Sequence, residues 1–246
     1  MREILADLVA EQQSLDQSLQ RSPDRDWKKR LDGTATTVQD TIAILAWEEQ
    51  QAAAALTGGH SVLDEIDEYG DVADHLKKAV AEGRGKRPQE VIEWWRFARA
   101  DVVSALYKNK PSDRVPWVGS DVSARTFATL RLAETWGRGL AILTALDKEI
   151  VDTIRLRHIA WLGWATLPYS FALADEDYDE PVRVEVTGPA YARWVFGPDD
   201  APDVVRGPAP EWCRLVVGRL SVAKATGLKA TGPIAERALE VAGIFQ

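Results

Sequence analysis

"AETWGRGLAI", residues 133–142, sets an acid and a base one helical turn apart, Glu134 and Arg138, among apolar neighbours. It sits inside a longer segment, about 122–145, whose apolar residues recur at helical spacing, with Ser120 or Asp121 placed to cap its start. Positions four apart on a helix share a stripe, so Glu134 and Arg138 face the same way. Reading outward, Leu5, Leu8, Val9, Gln12, Leu15 and Leu19 fall three and four apart and predict a helix over 2–20. Thr37 followed by Asp40 forms a capping-box pattern that opens a second helix, about 38–56, and Gly58-Gly59 stops it. Residues 61–86 turn from acidic to basic and read as a short helix and a loop. Pro88 suits the first turn of another long helix, about 88–108, which ends before Pro111. Four long amphipathic helices with no strand between them predict a helical bundle.

The texture changes after residue 174. VRVEVTG (182–188) alternates, and YARWVFG (191–197) follows a Gly-Pro turn, which predicts a β-hairpin. APEWCRLVVGRLSV (209–222) and GPIAERALEVAGIF (232–245) read as two further helices. The predicted fold is therefore mainly α: a bundle over 1–174, then a small α+β domain over 175–246, joined through the acidic stretch ADEDYDEP (174–181).

Composition narrows the function classes. A net charge of −8 argues against a nucleic-acid partner, which requires a concentrated basic face. No apolar run approaches the roughly 18 residues a membrane span needs. The start, MREILADLVAEQQ, reads as an amphipathic helix and not as a signal peptide. The single cysteine, Cys213, cannot form an internal disulfide, which fits a cytoplasmic protein, and its apolar helix marks it as buried and inert. Three histidines and one cysteine supply an all-protein zinc cage poorly. Ten tryptophans stand out and suit both a core and an aromatic-lined pocket. At Trp94-Trp95 only one ring can face inward.

Four stretches carry a resemblance: DTIAILAWEEQ (40–50), RVPWVGSDVSARTFATLRLAETWGRG (114–139), RLRHIAWLG (155–163) and FGPDDAPDVVRGPAPEWCRLVV (196–217). Together they resemble the DinB-like superfamily, and more narrowly the mycothiol-dependent maleylpyruvate isomerase group of actinobacterial proteins. The resemblance implies a four-helix bundle that holds one divalent metal between helices, with several members using a low-molecular-weight thiol in isomerase or transferase reactions. It also implies three metal ligands: a second-helix histidine, a fourth-helix glutamate, and a histidine four residues further on. Those positions fall on Ile44, Glu134 and Arg138. An isoleucine offers no lone pair and a guanidinium is a permanent cation, so no metal and no other cofactor is expected. A divalent metal or mycothiol enters only if the family's site persists.

Two readings of Arg138 with Glu134 stand side by side. One is a structural ion pair; the other is an anchor for an anionic or carbonyl group of a ligand, through the planar guanidinium fork. After the fourth helix, the family's paired histidines become His158 and Trp161, with Trp164 beyond them. His158 reads either as a satisfied structural histidine or as an acid–base group. Trp161 and Trp164, near the bundle mouth, are candidates for lining a pocket with Ile44, Trp47 and Trp136; core packing suits Trp136 equally well. Only one of Glu48 and Glu49 is expected to face inward, and Glu48, one turn from Ile44, is that one. Tyr169, which follows Pro168 in a predicted loop, adds a hydrogen-bond donor.

The resulting expectation is a metal-independent enzyme acting on an organic, partly apolar small molecule by isomerisation, cyclisation or rearrangement, in a setting such as specialised metabolism. Arg138, Glu134 and His158 are its catalytic candidates, and pairing of bundles into a homodimer is its expected assembly. The alternatives are a metal- and mycothiol-dependent isomerase or S-transferase, and a non-catalytic ligand-binding protein.

Overall fold

A computed structural model describes residues 1–61, 72–117 and 121–245. The chain divides into two compact units, Met1–Ile150 and Val151–Gln246. The first contains helices α1 (Arg2–Leu19), α2 (Asp24–Trp27), α3 (Val38–Gly58), α4 (Val72–Arg84), α5 (Pro88–Tyr107) and α6 (Ala124–Ala145). A two-residue antiparallel pair, β1 (Arg114–Val115) and β2 (Val122–Ser123), precedes α6.

The starts of these helices are set by local chemistry. Thr37 Oγ1 accepts from Asp40 N, while Asp40 Oδ2 accepts from Thr37 N at 2.9 Å, so the capping box at α3 is complete. Asp40 does more than cap: its side chain is fully buried and takes two hydrogen bonds from Arg84, at 2.9 and 2.8 Å. Helix α3 ends at Gly59, whose φ of 75° needs a residue without a Cβ. Pro88 sits in the first turn of α5. Helix α6 is capped by Ser123, which accepts from Thr126 N at 3.0 Å. This is three residues past Ser120, which lies outside the described residues, and two past Asp121.

Four long helices, α1, α3, α5 and α6, make the bundle. Helix α3 packs against α4, α5 and α6, and α1 against α5 and α6. Leu15, Leu19, Ile42, Leu45, Val91, Trp95 and Ile142 form one continuous apolar cluster. Trp95 is buried at its centre, and Trp94 lies at its edge, donating to Gln50 Oε1 at 2.9 Å.

The second unit contains α7 (Leu156–Ala165), α8 (Leu167–Leu173), α9 (Ala209–Val216) and α10 (Pro233–Val241). Its sheet runs β4 (Arg193–Phe196), β3 (Arg183–Thr187), β5 (Val204–Pro208), β6 (Lys229–Thr231), and the predicted hairpin is β3–β4. Strand β5 lies parallel to β3 and antiparallel to β6. Val182, Val184 and Val186 alternate inward, and α9 packs on β3 and β5.

The division falls at 150/151, whereas the composition change had suggested 174/175. Helices α7 and α8 belong with the second unit because their partners are there. Trp212 Nε1 donates to Ala160 O at 3.0 Å, Cys213 Sγ to Leu156 O at 3.4 Å, and Ser170 Oγ accepts from Gly243 N at 3.2 Å. Gly163 lies against Val216 so closely that a Cβ there would fall 2.7 Å from a valine methyl. Among the described residues, no helix is long and apolar enough to cross a membrane.

Candidate functional site

Inside the bundle, α3 and α6 face each other with charge. Helix α3 contributes Glu48 and Glu49; α6 contributes Arg131, Glu134 and Arg138, which fall at i, i+3 and i+7 on one stripe. Arg138 Nη2 donates to Glu48 Oε1 at 2.5 Å, and its Nε lies against Glu134 Oε1 as an ion pair. Arg131 Nη2 donates to Glu49 Oε1 at 3.4 Å, its Nε is 3.3 Å from Glu49 Oε2, and the same guanidinium is 3.8 Å from Glu48 Oε2. Glu48 therefore bridges the two arginines.

The array has a closed end and an open end. Glu49 and Arg131 side chains are 0% and 4% exposed, while Glu134, Glu48 and Arg138 are 12%, 18% and 21% exposed. Three carboxylates face two guanidiniums, so the fully ionised array carries one excess negative charge. Its protonation is set first by burial and then by the neighbouring charges. Burial pushes Glu48 up to about 7, against the pull of Arg138 and with a further push from Glu134. Burial likewise raises Glu49, and Arg131 only partly offsets it. Arg131 and Arg138 lose solvation but are held firmly charged by the surrounding carboxylates. A carboxyl that changes charge near neutrality, against a fixed cation, is suited to moving a proton.

Ile44 is buried on α3, one turn before Glu48. The three positions that the resemblance assigned to a metal thus present a hydrocarbon, one carboxylate and a guanidinium. That carboxylate, Glu134, is engaged by Arg138. This donor set does not fit a divalent ion. Among the described residues, no group of three or more His, Cys, Asp or Glu side chains is arranged to hold one.

The other sequence candidates scatter. Trp47 stacks on His75 of α4, with ring centroids 5.6 Å apart and planes 16° apart. Trp136 is buried in α6. His158, Trp161, Trp164 and Tyr169 all belong to the second unit. There His158 is buried, and Trp164 donates to Val182 O at 2.9 Å and stacks on Phe196. Tyr169 is in helix α8 and not a loop, because Pro168 occupies a first-turn position, and its side chain is exposed. Glu49, expected to be exposed, is instead the most enclosed acid of the array. Arg131 is missed by the sequence pattern that marks Glu134 and Arg138, although it stands three residues before Glu134 on the same stripe.

Comparison with known proteins agrees with this architecture. The sequence profile of the mycothiol maleylpyruvate isomerase N-terminal domain matches residues 37–142, from the α3 cap into α6. The uncharacterized protein Rv0036c of Mycobacterium tuberculosis strain H37Rv is 31% identical over 243 residues, covering 98% of this chain and 94% of its own. The uncharacterized protein MT0041 of strain CDC 1551 matches to the same extent. The crystal structure of the mycothiol-dependent maleylpyruvate isomerase superposes with a TM-score of 0.60 at 15% identity, over 93% of this chain and 92% of that one. A histidine-to-alanine mutant of that enzyme gives a TM-score of 0.60 at 16% identity and the same coverage. The chain therefore belongs to one family with Rv0036c, carries a mycothiol maleylpyruvate isomerase N-terminal domain over residues 37–142, and shares the fold of the mycothiol-dependent maleylpyruvate isomerase.

Proposed function

We propose that this protein is an isomerase-type enzyme of its family that works without the metal, using the Glu48–Arg138–Glu134 end of the array on a small organic carbonyl compound. The observation that supports this reading is Arg138 held between Glu48 and Glu134 where the family pattern has a histidine. A guanidinium has five N–H donors, and Arg138 engages carboxylates through Nε and Nη2. Among the described residues Nη1 meets no carboxylate, so its N–H groups are available to a carbonyl or carboxylate oxygen of the substrate.

The chemistry follows from the pair. Arg138 polarises the carbonyl and so acidifies the adjacent C–H. Glu48, as the carboxylate, takes that proton to give the enolate, then returns it at another position of the delocalised system. No atom is gained or lost, as an isomerisation requires. Glu134 keeps Arg138 in place and charged. The buried Arg131–Glu49 pair fixes the far side of Glu48.

The test uses protein treated with a chelator and checked for metal by elemental analysis. It is incubated with maleylpyruvate and related oxo acids in D₂O, with and without mycothiol. Solvent deuterium should enter the substrate without metal, and Arg138→Ala and Glu48→Gln should abolish the exchange. One divalent ion per chain, or exchange that returns only on adding metal, would restore the metal-dependent reading. Unchanged exchange in Arg138→Ala would remove the assignment altogether.

A further inference from the structure

A second site is built between α1 and α5. A groove of about 620 Å³ is lined by Val9 and Gln12 from α1 and by Arg96, Arg99 and Val103 from α5, with Tyr107 and Lys108 at its end. That volume is in the range of small-molecule sites. Its lining carries three cations and no carboxylate. Behind them a single acid, Asp16, is shared by two guanidiniums: Arg96 Nη2 donates to Oδ1 at 2.6 Å and Arg99 Nη2 to Oδ2 at 2.5 Å. Burial alone would raise the Asp16 carboxyl, but the two arginines hold it below its ordinary value, so it stays ionised. Three cations thus line the groove against one directly bonded carboxylate, with Glu93 and Glu49 acting on Arg96 and Arg99 from outside the lining, in a chain whose net charge is −8.

Two further observations point to an occupant with both a charge and a hydrocarbon part. Gln12 is 2% exposed, and its amide nitrogen has no hydrogen-bond partner among the described residues. A buried donor left in this way costs stability unless something answers it. Beside it, Arg99 is clamped and not free to swing: Nη1 donates to Gln12 O at 2.7 Å and the guanidinium lies 4.3 Å over the Trp95 ring. Val9, Val103 and the exposed Tyr107 ring continue the groove as an apolar wall, and Lys108 closes it with a charge that has no carboxylate partner among the described residues.

We infer that the α1–α5 groove binds an amphipathic organic anion, with its acid group against the Gln12–Arg99–Lys108 side and its hydrocarbon chain along Val9, Val103 and Tyr107. The groove is made by the first unit alone and shares no lining residue with the α3–α6 array, although Glu49 of that array acts on Arg99 through its charge, so this site stands whether or not the array is catalytic.

The experiment titrates octanoate into the full-length protein, followed by amide chemical shifts, beside octylammonium and inorganic phosphate. Octanoate should saturate with a dissociation constant on the order of 1 mM or tighter, as its size allows. The shifted amides should cluster on α1 and α5. Lys108→Glu, at an exposed position, should weaken binding about tenfold. Val103→Trp, which fills the groove, should do the same while the circular dichroism spectrum stays unchanged. Octylammonium binding as well as octanoate would overturn the charge assignment, and phosphate competing equally would overturn the amphipathic one. Absence of saturation, shifts elsewhere, or unchanged affinity in Lys108→Glu would remove the site.

Discussion

Arg131 Nε lies 3.3 Å from Glu49 Oε2 with both side chains sealed from solvent, so the interior of this bundle is pinned by an ion pair that water cannot replace. Such a pair costs desolvation to bury, and its merit depends on both partners being present. Arg131→Ala should therefore destabilise the protein by about 3–5 kcal/mol, by leaving an uncompensated carboxylate in the core. Glu49→Leu combined with Arg131→Leu should recover most of that loss. Urea unfolding of the two variants beside the wild type measures it, and equal destabilisation by the single and double substitutions would contradict it.

Glu48 makes stability depend on pH near neutrality. Its carboxyl titrates at about 7 in the folded chain, raised mainly by burial from an ordinary value of 4.5. The folded protein then binds more protons than the unfolded one between those limits, so the contribution of Glu48 is full below about pH 4.5 and is lost as the pH rises through 7. Glu49 acts in the same direction. Wild-type stability should fall over that interval, by on the order of 2 kcal/mol for Glu48. Glu48→Gln should flatten the slope, which thermal melts at pH 5, 6, 7 and 8 would read.

Arg138 lowers the Glu48 titration against the pull of burial. Removing that cation in Arg138→Met should move the Glu48 midpoint further above 7. Carbon-detected NMR titration of the labelled carboxyl reports the midpoint directly, and a downward shift would contradict the pairing.

The donor set that the resemblance implies can be built in to test whether Ile44, Glu134 and Arg138 meet. Ile44→His with Arg138→His supplies two imidazoles beside the existing carboxylate. The double variant should bind about one zinc ion per chain, with neither single variant matching its affinity. Calorimetric titration decides this, and no gain over the wild type would mean that the three positions do not meet.

At acid pH the order reverses. Asp40 is held below its ordinary value: burial would raise it, but hydrogen bonds from Arg84 and Thr37 prevail. Asp16 behaves likewise with Arg96 and Arg99. Both contributions are present above the usual 3.8 and are lost as the pH falls below it. Asp40→Asn should lower the wild-type Tm at pH 7 by several degrees, by weakening the α3 cap and the Arg84 tie together. The difference between variant and wild type should narrow near pH 3.

The helices of the first unit were legible because their boundaries are local chemistry: Thr37 with Asp40, Gly59, Pro88. The array was half legible. Glu134 and Arg138 are four apart and announce themselves, whereas Glu49–Arg131 spans 82 positions and depends on how two helices register. Successive residues on a helix diverge by about 100°, so Glu48 and Glu49 read as one inward and one outward. Helix α3 encloses Glu49 and half-buries Glu48 because α4, α5 and α6 all pack on it. Helices α7 and α8 left a weaker trace. RLRHIAWLGW lacks a side-chain cap, and Pro168 read as a break where it is a beginning. The partners of α7 and α8, Trp212, Cys213 and Gly243, come 50 or more residues later, beyond any local pattern.

Cys213 gives the second unit a built-in reporter. Its thiol is fully enclosed, tied to the Leu156 carbonyl, and pushed by burial well above the usual thiol range. A thiol in that state is invisible to alkylating reagents until α9 parts from α7. With one sulfhydryl in the whole chain, the pace of its labelling in native buffer clocks the opening of that half of the molecule, and no engineered probe is needed.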